Sequence, residues 1–213
     1  NTREGIHVRT SMILSVSMLT LGLAAAAGQP LDIPESWTFR GVQEFVPVPQ
    51  KVDAFCAHIT NTLGKIGVRQ LVIRFAYHYE YKSHPECRQG DALSEAQVRQ
   101  IRAACEQAGI ELIPGSNSFG HQHLEGGNGI LGSHPELSET RGEKDDAKKD
   151  TRSLCAKSEE ARRIATDLLL ELAEVCGAKR VHIGCDEVMQ IGRCDRCKGV
   201  PREKLYADWG NGL

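Results

Sequence analysis

Residues 158–184 read Ser-Glu-Glu-Ala-Arg-Arg-Ile-Ala-Thr-Asp-Leu-Leu-Leu-Glu-Leu-Ala-Glu-Val-Cys-Gly-Ala-Lys-Arg-Val-His-Ile-Gly. Ser158 is a capping residue, and Ile164, Leu168, Leu172 and Val175 recur behind it at helical spacing. Gly177 is the expected stop. Lys179-Arg-Val-His-Ile-Gly184 then follows as a strand, apolar from Val181. A helix that feeds directly into a strand is the repeating unit of a parallel α/β sheet.

The same unit recurs toward the N-terminus. Ser94-Glu-Ala-Gln97 has the form of a capping box. It opens a helix that reaches Ala108 and stops at Gly109, before the strand Ile110-Glu-Leu-Ile-Pro114. Further back, Phe55, Ile59, Leu63 and Ile66 give Val52 to Ile66 a helical apolar face, and Gln70-Leu-Val-Ile-Arg-Phe75 follows as a buried strand. Gly41 to Val48 is the first strand, weakened by its proline. A last helix begins near Glu203.

Residues 37–213 therefore read as four strand–helix units, either doubly wound or part of a (β/α)8 barrel. No Gly-rich phosphate turn follows strand one, which counts against a dinucleotide fold. A complete barrel takes about 250 residues. The reading is a TIM-type (β/α)8 barrel of which only about the first four units are present, a fragment. Such a half barrel is expected to leave sheet edges open, to be poorly stable and to be inactive by itself. The long stretch Gly115–Lys157 has little periodicity, as functional loops do, and its tail Arg141–Asp150 reads as a solvated excursion.

Composition excludes several classes. The chain has 213 residues, 40% hydrophobic and 25% charged, with a net charge of −2. No Lys/Arg stripe invites nucleic acid or an anionic membrane. Residues 1–28 read as a signal peptide: Arg3 and Arg9 precede the apolar run from Met12 to Leu23, and the small residues Ala24-Ala-Ala-Ala-Gly28 follow. That run is short for a span, so the expectation is export, periplasmic or secreted, without stable membrane insertion; the alternative is a single anchor.

Export makes the eight cysteines of interest. Cys56, Cys105 and Cys176 fall in helices, where cysteine is often a small buried apolar residue. Cys194-Asp-Arg-Cys197 has the spacing of a metal knuckle or a redox pair. One such pair is half of a structural zinc site and no second C-x-x-C exists, so a local disulfide or free thiols is preferred to zinc. Cys87, Cys155 and Cys185 are left as possible partners.

In parallel α/β folds the functional side chains gather at the carboxyl ends of strands. Those positions are Arg40 and Glu44, then Tyr77, His78, Tyr79 and Glu80, then Asn117, His121 and His123, and finally Asp186 and Glu187. Two adjacent carboxyls push each other's pKa apart, leaving one as an acid and the other ionised, as glycosidic cleavage requires. The plain alternative is an acidic pair on a solvated turn.

Val181-His-Ile-Gly-Cys-Asp-Glu-Val188 resembles the His-x-Gly-Gly-Asp-Glu signature of glycoside hydrolase family 20, the β-N-acetylhexosaminidases. Ile113-Pro-Gly-Ser-Asn-Ser-Phe-Gly-His121 is similar to that family's Ile-Pro-Glu-x-Asp-x-Pro-Gly-His segment, and Phe39-Arg-Gly41 to its first strand. Cys185, Phe119-Gly-His121 and Tyr81-Lys-Ser-His-Pro85 point to the hexosaminidase D-like branch. The resemblance covers residues 38 to 213.

It implies an exo-acting, retaining β-N-acetylhexosaminidase that removes terminal N-acetylglucosamine or N-acetylgalactosamine from glycans. The substrate's acetamido oxygen is then the nucleophile, with no cofactor and no metal. Glu187 is implied as acid and base, and Asp186 as the group that orients the acetamido. Arg40 is implied as a ligand of sugar hydroxyls and His121 as support for the acid. The family's acidic residue after strand two is missing from Phe75-Ala-Tyr77, and Glu80 is the nearest substitute. Asn117 stands where many members have Asp. Two other readings remain: a metal-dependent hydrolase using His121 and His123 with His182, Asp186 and Glu187, and an inactive sugar-binding relative.

Overall fold

The computed structural model describes residues 39–122, 129–140 and 152–213. The expected signal peptide and His123 lie outside the described residues. No described helix is long and apolar enough to cross a membrane.

Three parallel strands, β1 (Gly41–Phe45), β2 (Gln70–Arg74) and β3 (Glu111–Gly115), form the sheet in that order. Gly41, Gln70 and Glu111 are in register at one end, and Phe45, Arg74 and Gly115 at the other. The crossover from β1 to β2 is α1 (Val52–His58), which continues as one π-helical turn over Ile59–Leu63. Leu71 and Ile73 of β2 have no exposed surface, because that face is roofed by helices.

The crossover from β2 to β3 is α2 (Glu95–Ala108). Its capping box forms as expected: Ser94 accepts from the Gln97 N–H while the Gln97 side chain reaches back to the Ser94 N–H. Gly109 ends it at φ 65°, a conformation that costs glycine little. After β3 comes a one-turn helix, α3 (Ile130–Ser133), and then the long α4 (Glu159–Cys176), capped by Ser158 and closed by Gly177 at φ 59°. Ile164, Leu168, Leu172 and Val175 are all buried along α4. α5 (Arg202–Gly210) ends the described chain and buries Leu205 and Trp209.

The segment after β2 is pinned to α4. Glu171 accepts from the N–H groups of Lys82 and Ser83 at 2.8 and 2.9 Å, and His84 Nε2 lies 3.0 Å from Asp167 Oδ2. Tyr79 and Tyr81 meet edge to face at 5.2 Å beneath it.

One expected element is corrected. Residues 179–184 do not form a regular fourth strand; they make a single parallel bridge, Gly115 to His182. His182 N–H donates to Pro114 O at 2.9 Å, and Ser116 and Ser118 donate back to His182 O and Ile183 O. Gly184 then turns to φ 52°, its α-carbon so close that a side chain there would lie 2.3 Å from Ser116 O. The ladder stops at that turn. The described architecture is a partial parallel α/β sheet of three strands with a fourth segment laid along β3.

Candidate active site

The three non-glycine residues at positive φ among the described residues are Ala76, His121 and Glu187, at 49°, 56° and 47°. Each lies just past the carboxyl end of β2, β3 or the fourth segment. Left-handed backbone at such residues costs about 1–3 kcal/mol and tends to mark functional sites. Two of the three face each other.

His121 Nε2 lies 3.2 Å from Asp186 Oδ2 and 3.4 Å from Glu187 Oε2. The ring is largely buried, while both carboxylates are exposed at 67%. One imidazole therefore bridges two neighbouring carboxylates, an arrangement open to solvent on the acid side and closed on the histidine side. The backbones are equally close: a Cβ on Gly120 would sit 2.7 Å from Asp186 O, so the contact requires glycine.

Hydrogen bonds, buried on the side of Gln122, fix both loops. Tyr77 donates to Gln122 Oε1 at 2.7 Å, and Gln122 Nε2 donates to Asn117 O at 2.8 Å. Ser118 Oγ donates to Ile183 O at 2.6 Å and lies 3.4 Å from Cys185 Sγ. Tyr206 of α5 donates to Cys185 O at 2.7 Å, the carbonyl just before Asp186. Behind it, Phe119 stacks on Trp209 with centroids 4.4 Å apart. Burial, and then the nearby Cys185 and Asp186, push the Tyr206 phenol up, which keeps it a donor.

A cleft of about 590 Å³ opens beside Asp186, lined among others by Arg74, Asn117, His182 and Tyr206. That volume suits a small ligand such as a sugar ring. Asn117, 6% exposed, forms part of its wall.

The sequence reading gathered four further residues around the pair, and the structure brings together only some of them. His121 and Asn117 are at the site. Arg40 is not: it precedes β1, where its N–H donates to Gln70 Oε1, at the amino edge of the sheet. Five strand residues, about 16 Å, separate that edge from the carboxyl end. The cation at the carboxyl end is Arg74, whose guanidinium lies over the Phe45 ring at 5.4 Å. Glu80 is corrected as well; its carboxylate sits 3.8 Å from Arg88 on an exposed surface. It does not stand in for the missing acid.

Of the donors for a metal-dependent hydrolase, His123 lies outside the described residues, and His121, His182, Asp186 and Glu187 do not form such a group among the described residues. Among the described residues, the donor atoms that gather within 4.8 Å of one another belong to Glu139, Cys155, Cys194 and Cys197. Sequence reasoning missed Gln122 and Tyr206, which act through partners 45 and 21 residues away.

Comparison with known proteins gives the family and the fold. Residues 51–209 match the family described as glycosyl hydrolase family 20, catalytic domain. No curated protein sequence matches. Among solved structures, the chain is similar to a chitobiase of Flavobacterium johnsoniae, with TM-score 0.67, 18% identity, and coverage of 82% of this chain and 29% of that one. The β-N-acetylhexosaminidase of Streptomyces coelicolor aligns with TM-score 0.60 and 15% identity, over 82% of this chain and 36% of that one. That of Bacteroides fragilis aligns with TM-score 0.60 and 16% identity, over 80% and 38%. The chain thus spans 29–38% of these neighbours' length, and the likeness is one of fold.

Proposed function

The chain belongs to glycosyl hydrolase family 20, and on that premise we propose that Asp186 and Glu187 are the acidic pair of a retaining β-N-acetylhexosaminidase. The observation that carries the reading is the single imidazole, His121, within 3.2 and 3.4 Å of both carboxylates at the carboxyl end of the sheet.

The division of labour follows from the chemistry. Glu187 protonates the glycosidic oxygen as the bond breaks, then takes the proton back from the attacking water. The nucleophile is the substrate's own acetamido oxygen, the exception this family makes to the two-carboxylate scheme. Asp186 accepts from the acetamido N–H, aims its oxygen at the anomeric carbon and stabilises the positive charge that forms. His121 is a positioning residue for both. Asn117 and Arg74 line the cleft in which the sugar sits, and Arg74 takes the part expected of Arg40, holding hydroxyls through its planar donor fork.

The substrate class is a terminal N-acetylhexosaminide. The cleft beside the three strands is open, so one side of the sugar is left uncovered by the described residues. Export fits a glycan substrate outside the cytoplasm.

The test is the full-length protein against a chromogenic β-N-acetylhexosaminide. Glu187→Gln keeps the shape but not the proton, so turnover falls by about 10²–10⁴-fold while binding of the free sugar survives. Wild-type protein that binds the sugar without cleaving it would make the chain a sugar-binding relative and end the enzyme reading.

A further inference from the structure

The four donors that converge away from the acidic pair carry an inference of their own. Cys155 Sγ lies 3.4 Å from Cys194 Sγ and 3.7 Å from Cys197 Sγ, and a Glu139 carboxylate oxygen completes a group whose members all lie within 4.8 Å of one another. Three thiolates bound to one tetrahedral zinc at about 2.3 Å stand about 3.8 Å apart. The cluster already has nearly that spacing.

The surrounding structure holds the donors in place. Cys194 and Cys197 form a knuckle: the N–H groups of Cys197 and Lys198 both donate to Cys194 O, at 3.0 and 2.8 Å, and Gly199 leaves the turn at φ 82°. Cys155 and Glu139 come from the stretch between β3 and α4. They are fixed by the bridge of Ser138 to Leu154, by Cys155 N–H donating to Leu137 O at 2.7 Å, and by Glu139 N–H donating to Ser153 O at 3.0 Å. The Glu139 carboxylate is 1% exposed and accepts from the N–H groups of Ala156 and Cys194, at 3.2 and 3.0 Å. These bonds orient it as outer hydrogen bonds orient a metal ligand. A cleft of about 270 Å³ reaches Glu139, Cys155 and Cys194 from solvent, a path for an ion to enter.

We infer that Glu139, Cys155, Cys194 and Cys197 form a structural zinc site that clamps the loop after β3 to the loop that carries Asp186 and Glu187. Thiolate-rich donors in a tetrahedral set select zinc over harder cations. Four protein ligands leave no open position, which makes the site structural rather than catalytic. Binding converts three thiols to thiolates, and three protons leave to solvent. A disulfide explains the cluster less well. It would use two of the three sulfurs and leave a buried thiol and a buried carboxylate facing the bridge. The second half of the metal site, absent from the local sequence, is supplied by residues 39 and 55 positions before Cys194.

The experiment reads metal, not glycosidase activity, and so is independent of the function proposed above. The full chain is expressed with zinc, purified under reducing conditions, and its metal content measured by plasma mass spectrometry. One zinc per chain is expected, replaceable by cobalt(II) with the visible bands of tetrahedral thiolate coordination. X-ray absorption on the unmutated chain should show three sulfur and one oxygen neighbours, a readout that no misfolded variant can confuse. Cys155→Ser and Cys197→Ser should each lose the metal, and Cys56→Ser should keep it. Zinc below about 0.1 equivalents in a folded chain, a disulfide joining any two of the three cysteines, or full zinc retention in both variants would overturn the site.

Discussion

Gly120→Ala is the substitution that most sharply separates packing at the site from stability at large. A methyl at residue 120 would lie 2.7 Å from Asp186 O and 3.4 Å from Glu187 O, where ordinary contact begins near 3.4 Å. The two backbones must therefore part by about 0.7 Å. Neither can yield freely, since Phe119 is stacked on Trp209 on one side and Tyr206 grips Cys185 O on the other. Overpacking of this kind costs about 1–3 kcal/mol of stability. Displacing reacting groups by about 1 Å costs up to about 10²-fold in rate. The expected outcome is a fall in kcat of about 10–100-fold, with KM changed much less and a lowered unfolding midpoint. Gly90→Ala is the control, because nothing lies within 4 Å of its added methyl. Kinetics on a chromogenic N-acetylhexosaminide with thermal unfolding of each variant decide the matter. A folded Gly120→Ala protein with wild-type kcat would refute the close approach of the two loops.

Two further perturbations probe the frame behind the site. Trp209 has no exposed surface and stacks on Phe119, so Trp209→Ala should cost about 3–5 kcal/mol, read from denaturant unfolding; a cost below about 1 kcal/mol would mean α5 does not support the loop. Arg180 Nε donates to Glu111 Oε1 at 2.8 Å, joining the fourth segment to β3, and this guanidinium holds the Glu111 carboxyl below its ordinary 4.5. A depressed folded value means stability that is present above pH 4.5 and lost as pH falls through the folded value. The pair is largely exposed, so the effect is small and weakens with salt. Arg180→Ala should flatten that acid-side loss in urea titrations, and an unchanged slope would remove the pair from the account.

Local signals carried most of the fold. The Ser94–Gln97 box, the Ser158 cap, and the glycines at 109 and 177 mark helix ends through contacts within a few residues, and each forms as read. The fourth strand misled because its β-branched run says nothing of Gly184, whose turn against Ser116 O is a long-range contact. At the site, Asp186, Glu187, His121 and Asn117 follow from motif and strand-end position, and they do come together. Arg40 failed because a residue next to a strand motif can lie at either end of the strand, and register alone decides which. The Glu139 and Cys155 half of the cysteine cluster was illegible for the same reason as Gln122. Each meets at least one partner across dozens of residues, through loops that show no period.

The most direct test of the central claim is a pair of rates measured on the full-length protein, with nitrophenyl 2-acetamido-2-deoxy-β-glucoside and with the corresponding β-glucoside. If Asp186 aims an acetamido nucleophile while Glu187 handles the proton, the first is hydrolysed and the second is not measurably cleaved. Comparable rates on both would mean the substrate supplies no nucleophile, and would contradict the roles given to the pair.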